Sequence, residues 1–346
     1  MEYRELGRTG VMVSAVSLGT MTFGVQNSEA EGHAEMDYAV DHGINLFDAA
    51  ELYPIPPSPE TQGRTESIIG TWLGQRRARD KVLIATKMVG RTKMDWFRQD
   101  GARGRQSPAQ IREAVEGSLT RLKTDTIDLY QLHWPDRPMR IFEGLDYVHL
   151  DGDTHPIEEI LSVLAELVRE GKIRFVGLSN ETPWGVMTFL KASEQLGLPR
   201  MASIQNAYNL VNRSFEIGLS EISYREQVSL LAYSPLGQGY LSGKYAGGAL
   251  PPSSRKALIG RMGRYEMANG PAAIGAYVAL AHKHGLDPAA MAIAFATSRP
   301  FVTSTIIGAT TMEQLKTDIE AGSMKLGDAV LADIQRTHLT YPNPCP

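Results

Sequence analysis

Four residues in this chain have types and placements suited to moving a proton. Asp48 closes the run Ile44-Asn45-Leu46-Phe47-Asp48, Lys87 closes Leu83-Ile84-Ala85-Thr86-Lys87, and His133 closes Leu129-Tyr130-Gln131-Leu132-His133. Tyr53 is the fifth residue after Asp48. Each run is apolar and reads as a buried strand, and a core does not choose ionisable groups to end on. A buried Asp or Lys is costly alone but tolerable as a pair. An ammonium beside a tyrosine stabilises the phenolate and lowers a pKa that is otherwise about 10. Tyr53 is therefore expected to act as an acid near neutral pH. An imidazole N–H aimed at the same point would orient a carbonyl and steady charge developing on its oxygen. The set fits acid-assisted carbonyl reduction. Singly, each residue has an ordinary explanation: a rim tyrosine, a capping aspartate, a structural lysine, a satisfied core histidine. Jointly, four such placements at strand ends argue for a site.

The elements that must bring them together alternate along the chain. Strand-like runs cover Val16 to Leu18, Ile44 to Phe47, Val82 to Thr86, Ile127 to Leu132, Arg174 to Leu178, Ala202 to Gln205, Ser229 to Tyr233 and Ser304 to Ile307. Apolar residues three and four apart predict helices at 29 to 42, 64 to 76, 108 to 122, 157 to 170, 183 to 196, 214 to 225, 271 to 284 and 312 to 321. Ser107 before Pro108, and Thr311 three residues before Gln314, are helix starts. Gly43, Gly171 and Gly197 fall where C-caps should stop helices. This pattern predicts a closed (β/α)8 TIM barrel, preceded by a short N-terminal β-hairpin. Long inserts follow the second strand (Tyr53 to Gly63), the third (Met88 to Ser107), the fourth (Trp134 to Pro156) and the seventh (Ser234 to Gly270). All lie on the side where such a barrel builds its active site. The alternative, an open doubly wound sheet, would usually carry G-x-G-x-x-G after its first strand. Here that strand runs into Leu18-Gly19-Thr20-Met21-Thr22-Phe23-Gly24, and Gly237-Gln238-Gly239-Tyr240-Leu241-Ser242-Gly243 has the wrong final spacing. With no repeat or linker, residues 1–346 are expected to form a single domain.

Composition narrows the partner. The chain is 42% hydrophobic and 21% charged, and no segment approaches the roughly eighteen apolar residues of a membrane span. The net charge of −4, with signs interspersed, favours neither nucleic acid nor an anionic membrane. A small molecule is the expected partner, with the chain a monomer or weak homo-oligomer. MEYRELGRTG lacks a signal-peptide h-region, and the one cysteine, Cys345, excludes an internal disulfide, so a cytoplasmic location is expected.

The motifs resemble those of the aldo-keto reductases, in particular the Tas-like branch related to potassium-channel β subunits. Gly43-Ile-Asn-Leu-Phe-Asp48-Ala-Ala-Glu-Leu-Tyr53 is similar to the family's first signature, and Ala85-Thr86-Lys87, Leu132-His133-Trp134 and Gly177-Leu178-Ser179-Asn180 match those that follow. The resemblance spans nearly the whole chain. It implies a (β/α)8 barrel with NADP(H) extended across its C-terminal face, Tyr53 as proton donor, Lys87 and Asp48 tuning it, and His133 orienting the carbonyl. It also implies that Ser179, Asn180 and Gln205 hold the nicotinamide carboxamide, whose donor and acceptor suit their side chains, and that Tyr233 stacks on the ring. Ser234, Pro235, Leu236, Gly237, Gln238 and Gly239 would wrap the pyrophosphate, with Gly308, Ala309, Thr310 and Gln314 at the adenosine phosphate. The resemblance implies that Thr20, Met21, Gln26 and Asp48 complete the cofactor contacts. Where many relatives read the 2′-phosphate with a lysine and an arginine, this chain has Gly308 and Gln314. Lys244 and Arg255 match basic residues that the channel-β-like members use instead, which implies NADPH over NADH. Asp318 stands where relatives carry asparagine near the adenine. An aspartate there can accept from the adenine amino group but not donate, and an exposed aspartate facing water fits the position equally.

The substrate stays at the level of aldehyde or ketone. Its pocket walls would come from Met21, Pro54 to Pro59, Trp134, the inserts and the C-terminal tail, with Arg103 or Arg137 able to recognise an acid group. Two other function classes are open: a cofactor-binding redox sensor or docking protein with little turnover, and a barrel lyase using Lys87 as a Schiff-base nucleophile, which a neighbouring Asp48 would disfavour. The histidines show no metal-ligand spacing beyond His282-x-His284.

Overall fold

The computed structural model describes residues 1–142, 144–252, 254–260 and 263–346; Glu143, Ser253, Arg261 and Met262, in the inserts after the fourth and seventh barrel strands, lie outside the described residues. Strands β1 (Tyr3–Glu5) and β2 (Met12–Ser14) form the expected antiparallel hairpin. Eight further strands, β3 (Val16–Gly19), β4 (Leu46–Asp48), β5 (Leu83–Met88), β6 (Ile127–Leu132), β7 (Ile173–Ser179), β8 (Met201–Ala207), β9 (Ser229–Tyr233) and β10 (Val302–Ile307), close a parallel barrel in chain order. Side chains alternate across a strand, so every second residue faces the barrel interior. Leu46, Ala85, Leu129, Leu231 and Ile306 form one buried cluster with Leu6 and Val13 of the hairpin region, which plugs the barrel floor. Two residues further along four of these strands stand Asp48, Lys87, Gln131 and Tyr233, so the same pleat that builds an apolar floor lifts polar groups to its upper layer.

Around the barrel run α1 (Glu29–Asp41), α2 (Arg64–Arg76), α3 (Pro108–Leu122), α4 (Ile157–Arg169), α5 (Pro183–Leu196) and α6 (Leu219–Glu226). Their starts follow local chemistry: Ser28, Ser107 and Thr182 each accept a backbone N–H at the N-cap. Gly197 caps α5 in the left-handed region, and Gly43 and Gly171 adopt positive φ just beyond their helices. The predicted 214 to 225 helix is shorter than expected. Gly218 at φ 89° separates a 3-10 turn, Ser214–Glu216, from α6.

The later chain corrects the sequence reading further. The seventh-strand insert contains α7 (Arg255–Ile259), and the predicted helix near 271 to 284 is α8 (Gly270–Lys283). A second helix, α9 (Pro288–Thr297), follows it and packs against β10. Every residue of α9 except Ala289 is buried, so it has no polar face and no helical periodicity to read. After α10 (Met312–Ala321), α11 (Asp328–Thr340) packs on α8; its thin buried face of Val330, Asp333 and Ile334 gave little signal. Among the described residues, no helix is long and apolar enough to cross a membrane.

Candidate active site

The upper layer of the barrel holds a closed polar network. Lys87 Nζ donates to Asp48 Oδ2 and to the Ala49 carbonyl, both at 2.7 Å. The other Asp48 oxygen accepts from Gln205 Nε2 at 2.7 Å and from Gln131 Nε2 at 3.4 Å. Both ions are buried, so each is tolerable only because the other and these amides satisfy it. Burial pushes the Lys87 ammonium down, but Asp48 and Tyr53 more than offset it, leaving its pKa above the ordinary lysine value. Gln131 was read only as strand. Its signal was a polar residue two before His133 on the inward face. Gly177 makes its room, since a Cβ there would meet Ser203 Oγ at 2.5 Å and Gln131 Cγ at 3.2 Å.

Tyr53, at the start of the insert after β4, and His133, just past β6, complete the expected four. Lys87 Nζ lies 4.8 Å from the centre of the Tyr53 ring, and the Tyr53 and His133 rings meet edge to face at 5.7 Å. The expectation that Lys87 brings Tyr53 below the ordinary tyrosine pKa is corrected. Burial pushes the phenol up, Lys87 pulls it down, and burial wins. Burial, reinforced by Lys87, drives the His133 pKa well down, so the imidazole is neutral at physiological pH. His133 Nδ1 is buried with no hydrogen-bond partner among the described residues.

The residues expected to hold a nicotinamide carboxamide gather beside this group. Asn180, at φ 52°, donates from Nδ2 to the His133 carbonyl at 2.9 Å and accepts the Tyr233 hydroxyl at 2.7 Å. Ser179 Oγ donates to the Gln205 carbonyl at 2.8 Å. Gln205 spends its two amide N–H groups on Asp48 and on Gln131 Oε1, the latter at 3.3 Å, so toward a ligand its side chain offers the amide oxygen. On the opposite side, Thr20 Oγ1 donates to the Asp48 carbonyl at 2.7 Å, next to partly buried Met21 and Gln26.

Past Tyr233 the chain turns through Ser234, Pro235, Leu236, Gly237, Gln238 and Gly239, where positive φ at Ser234, Gly237, Gln238 and Gly239 curls the backbone as a phosphate cradle requires. Lys244 folds back on this turn, 5.4 Å from the Tyr245 ring, and faces Asp318 electrostatically. Arg255 packs near Tyr245 and Tyr265, with its Nε buried and unpartnered among the described residues. Gly308, Ala309 and Thr310 lead into α10, where the Thr310 N–H is held by Gln314 Oε1 at 3.0 Å, so an anion would have to displace that amide. Asp318 is 3% exposed, which removes the reading of a solvated helix aspartate. Burial, with Asp287 nearby, pushes its carboxyl up to about 8. A neutral carboxylic acid offers one donor and one acceptor, as asparagine does, so the expectation that this position cannot donate is also revised.

The inserts around the mouth are tied by ion pairs that the sequence did not reveal. Arg98 meets Glu51 through two bonds of 2.9 Å, both residues buried, and this pins the 88 to 107 insert beside Lys87, whose carbonyl accepts the Glu51 N–H. Arg105 bridges Asp136 and Asp153 across two inserts. Arg137 is held by Glu181, which removes it as a free acid-recognising residue, and Arg103 is exposed. Among the described residues, no group of three or more His, Cys, Asp or Glu could hold a metal ion.

Comparison with known proteins agrees with this architecture. The model of the Aldo/keto reductase family matches residues 15–338. The chain belongs to this family. It is 50% identical over its whole length to Protein tas of Escherichia coli, which it also covers completely. It is 37% identical to an aldo-keto reductase of Babesia bovis over 76% of this chain and 98% of that one. It is 33% identical to the uncharacterized oxidoreductase YrpG of Bacillus subtilis over 96% of this chain and 94% of that one. It is thus an oxidoreductase of carbonyl compounds, in a family that generally uses a nicotinamide cofactor.

Proposed function

We propose that this aldo/keto reductase is a single-domain NADPH-dependent enzyme that reduces aldehydes or ketones to alcohols, with Tyr53 as proton donor. The observation that carries the reading is the buried Asp48–Lys87 pair set under the Tyr53 ring beside a neutral His133. The cofactor fits the donors present: the Gln205 carbonyl, Ser179 and Asn180 suit a carboxamide, Tyr233 a flat ring, the 234–239 turn with Lys244 and Arg255 the phosphates, and neutral Asp318 an adenine edge. Bound there, the dinucleotide supplies the hydride. The protein's part is the proton. Tyr53, protonated across the neutral range, donates its O–H to the carbonyl oxygen as charge develops, and the phenolate left behind faces the Lys87 ammonium. A neutral His133 can direct an N–H at the same oxygen without competing for the proton. The ammonium is held charged by Asp48, which speaks against a Schiff-base role for Lys87.

Mixing the protein with NADPH and 4-nitrobenzaldehyde, and following loss of reduced cofactor by absorbance, tests this. Turnover should fall by roughly 10²–10⁴-fold in Tyr53→Phe, the loss expected when a general acid is removed. It should also be slower with NADH than with NADPH. Tight binding of NADPH without turnover on any carbonyl would favour a sensor instead.

A further inference from the structure

Glu51 stands two residues before Tyr53, and every one of its hydrogen-bonding groups is taken. Past β4 the chain stays alongside β5: the Ala49 N–H donates to the Ala85 carbonyl at 2.8 Å and the Glu51 N–H to the Lys87 carbonyl at 2.9 Å. The Glu51 side chain carries this pairing one step further, since its Oε1 accepts the Val89 N–H at 2.8 Å. Arg98 closes on both carboxylate oxygens from the 88 to 107 insert, and Gln62 Nε2 donates to the Glu51 carbonyl at 2.9 Å from the insert after β4. The Glu51–Arg98 fork is buried, away from the salt and water that weaken a surface ion pair. Directly beyond it the chain turns: the Tyr53 N–H donates to the Ala50 carbonyl, and the Tyr53 carbonyl accepts from the Gly63 N–H, both at 3.0 Å.

Tyr53 works only if its ring keeps its place 4.8 Å from Lys87 Nζ. Lys87 is on a strand and fixed by Asp48, but the 49–53 segment that bears Tyr53 lies outside any strand or helix. At Ala49 and at Tyr53 itself this segment is held by its main chain, whereas Glu51 joins it at once to β5, to the insert of Arg98 and to Gln62. We propose that Glu51 is a positioning residue for the reduction: its carboxylate, clamped by Arg98, sets the 49–53 segment so that the Tyr53 phenol stands against Lys87. This rests on the reductase reading above. The same clamp ties the proton donor to the wall of its own pocket, because Phe97, next to Arg98, belongs to the apolar cluster of Ala50, Leu52, Val89 and Trp134 against which Tyr53 packs.

With NADPH and 4-nitrobenzaldehyde, kcat counted per NADPH-binding site should fall by about 10–10²-fold in Arg98→Met, the loss that a displacement of about 1 Å in a catalytic group brings. NADPH affinity, read from quenching of tryptophan fluorescence, should stay at the wild-type value. Arg98→Lys keeps a charge beside Glu51 without the fork and should restore part of kcat. Because Arg98→Met leaves a buried carboxylate without its partner, Glu51→Gln with Arg98→Met is the second variant. Neutral throughout, it keeps an acceptor for the Val89 N–H and should melt near the wild type, yet it should stay at least about tenfold slow in kcat. A pair that serves stability alone predicts the opposite, a lowered melting point in Arg98→Met and unchanged kcat in the folded protein. Wild-type kcat in either folded variant, or loss of NADPH binding in step with kcat, overturns the assignment. Absence of turnover by the wild type on any carbonyl, with NADPH still bound, overturns the reductase reading and this one with it.

Discussion

Lys87 shows how one side chain serves both folding and chemistry. Its ammonium is fully buried, and the Asp48 carboxylate and the Ala49 carbonyl replace the water it has lost. Replacing Lys87 with Met leaves Asp48 buried with only two amides, and breaking a buried pair from one side costs about 3–5 kcal/mol. Lys87→Met should therefore lower the urea midpoint sharply, whereas Lys87→Met with Asp48→Asn should recover much of that stability while remaining inactive. A double variant no more stable than the single one would show that the pair is not the coupled unit described. At this scale the sequence was most legible where a charged residue ended an apolar run, as with Asp48, Lys87 and His133. It was least legible where partners meet across long separations. Nothing local to Glu51 or Arg98 announces their pairing. Tyr53's acidity was misjudged because burial, which opposes Lys87, is a property of the folded loop.

Helix α2 carries a direct contrast between two glycines four residues apart. A Cβ on Gly70 would meet the Arg121 carbonyl oxygen at 2.3 Å and the Leu122 carbonyl carbon at 2.8 Å, backbone atoms at the end of α3. A Cβ on Gly74, on the exposed side, would meet nothing within 4 Å. Gly70 thus lets α2 approach α3 closely, while Gly74 only weakens the helix. Gly74→Ala should raise stability by about 0.5–1 kcal/mol through helix propensity. Gly70→Ala should lower it by roughly 1–3 kcal/mol through overpacking. Thermal melts of the two variants settle the matter, and a stabilised Gly70→Ala would disprove the close approach. Elements with one wet face and a cap, such as α3 behind Ser107, were readable from the sequence for the same reason they are stable. The buried α9 was not, because periodicity records contact with water and α9 has almost none.

For the whole molecule, the informative groups are two buried acids that the proposed proton transfer does not use. Asp318 on α10 and Glu35 on α1 both have carboxyls pushed up to about 8, chiefly by burial, with Asp287 and Glu31 adding to it respectively. Glu35 Oε1 accepts from Asn27 Nδ2 at 3.0 Å, and that amide also reaches the Thr310 carbonyl at 3.3 Å, so this acid lies behind the loop that leads into α10. The linkage sign is opposite to that of an ion-paired carboxylate. Below the unfolded values, 3.8 for Asp and 4.5 for Glu, both folded and unfolded chains hold these protons. As pH rises from there to about 8 the unfolded chain releases them while the folded chain keeps them, so stability falls across that window and then levels off. Asp318→Asn removes one of the two groups. In urea unfolding without cofactor, the variant should match the wild type near pH 4 and exceed it by a few kcal/mol at about pH 8.5. Acid destabilisation from the ion-paired carboxylates is common to both proteins and cancels in the difference. An offset of equal size at the two pH values would mean that Asp318 is ionised in the folded protein, and its asparagine-like donor role would then have to be abandoned.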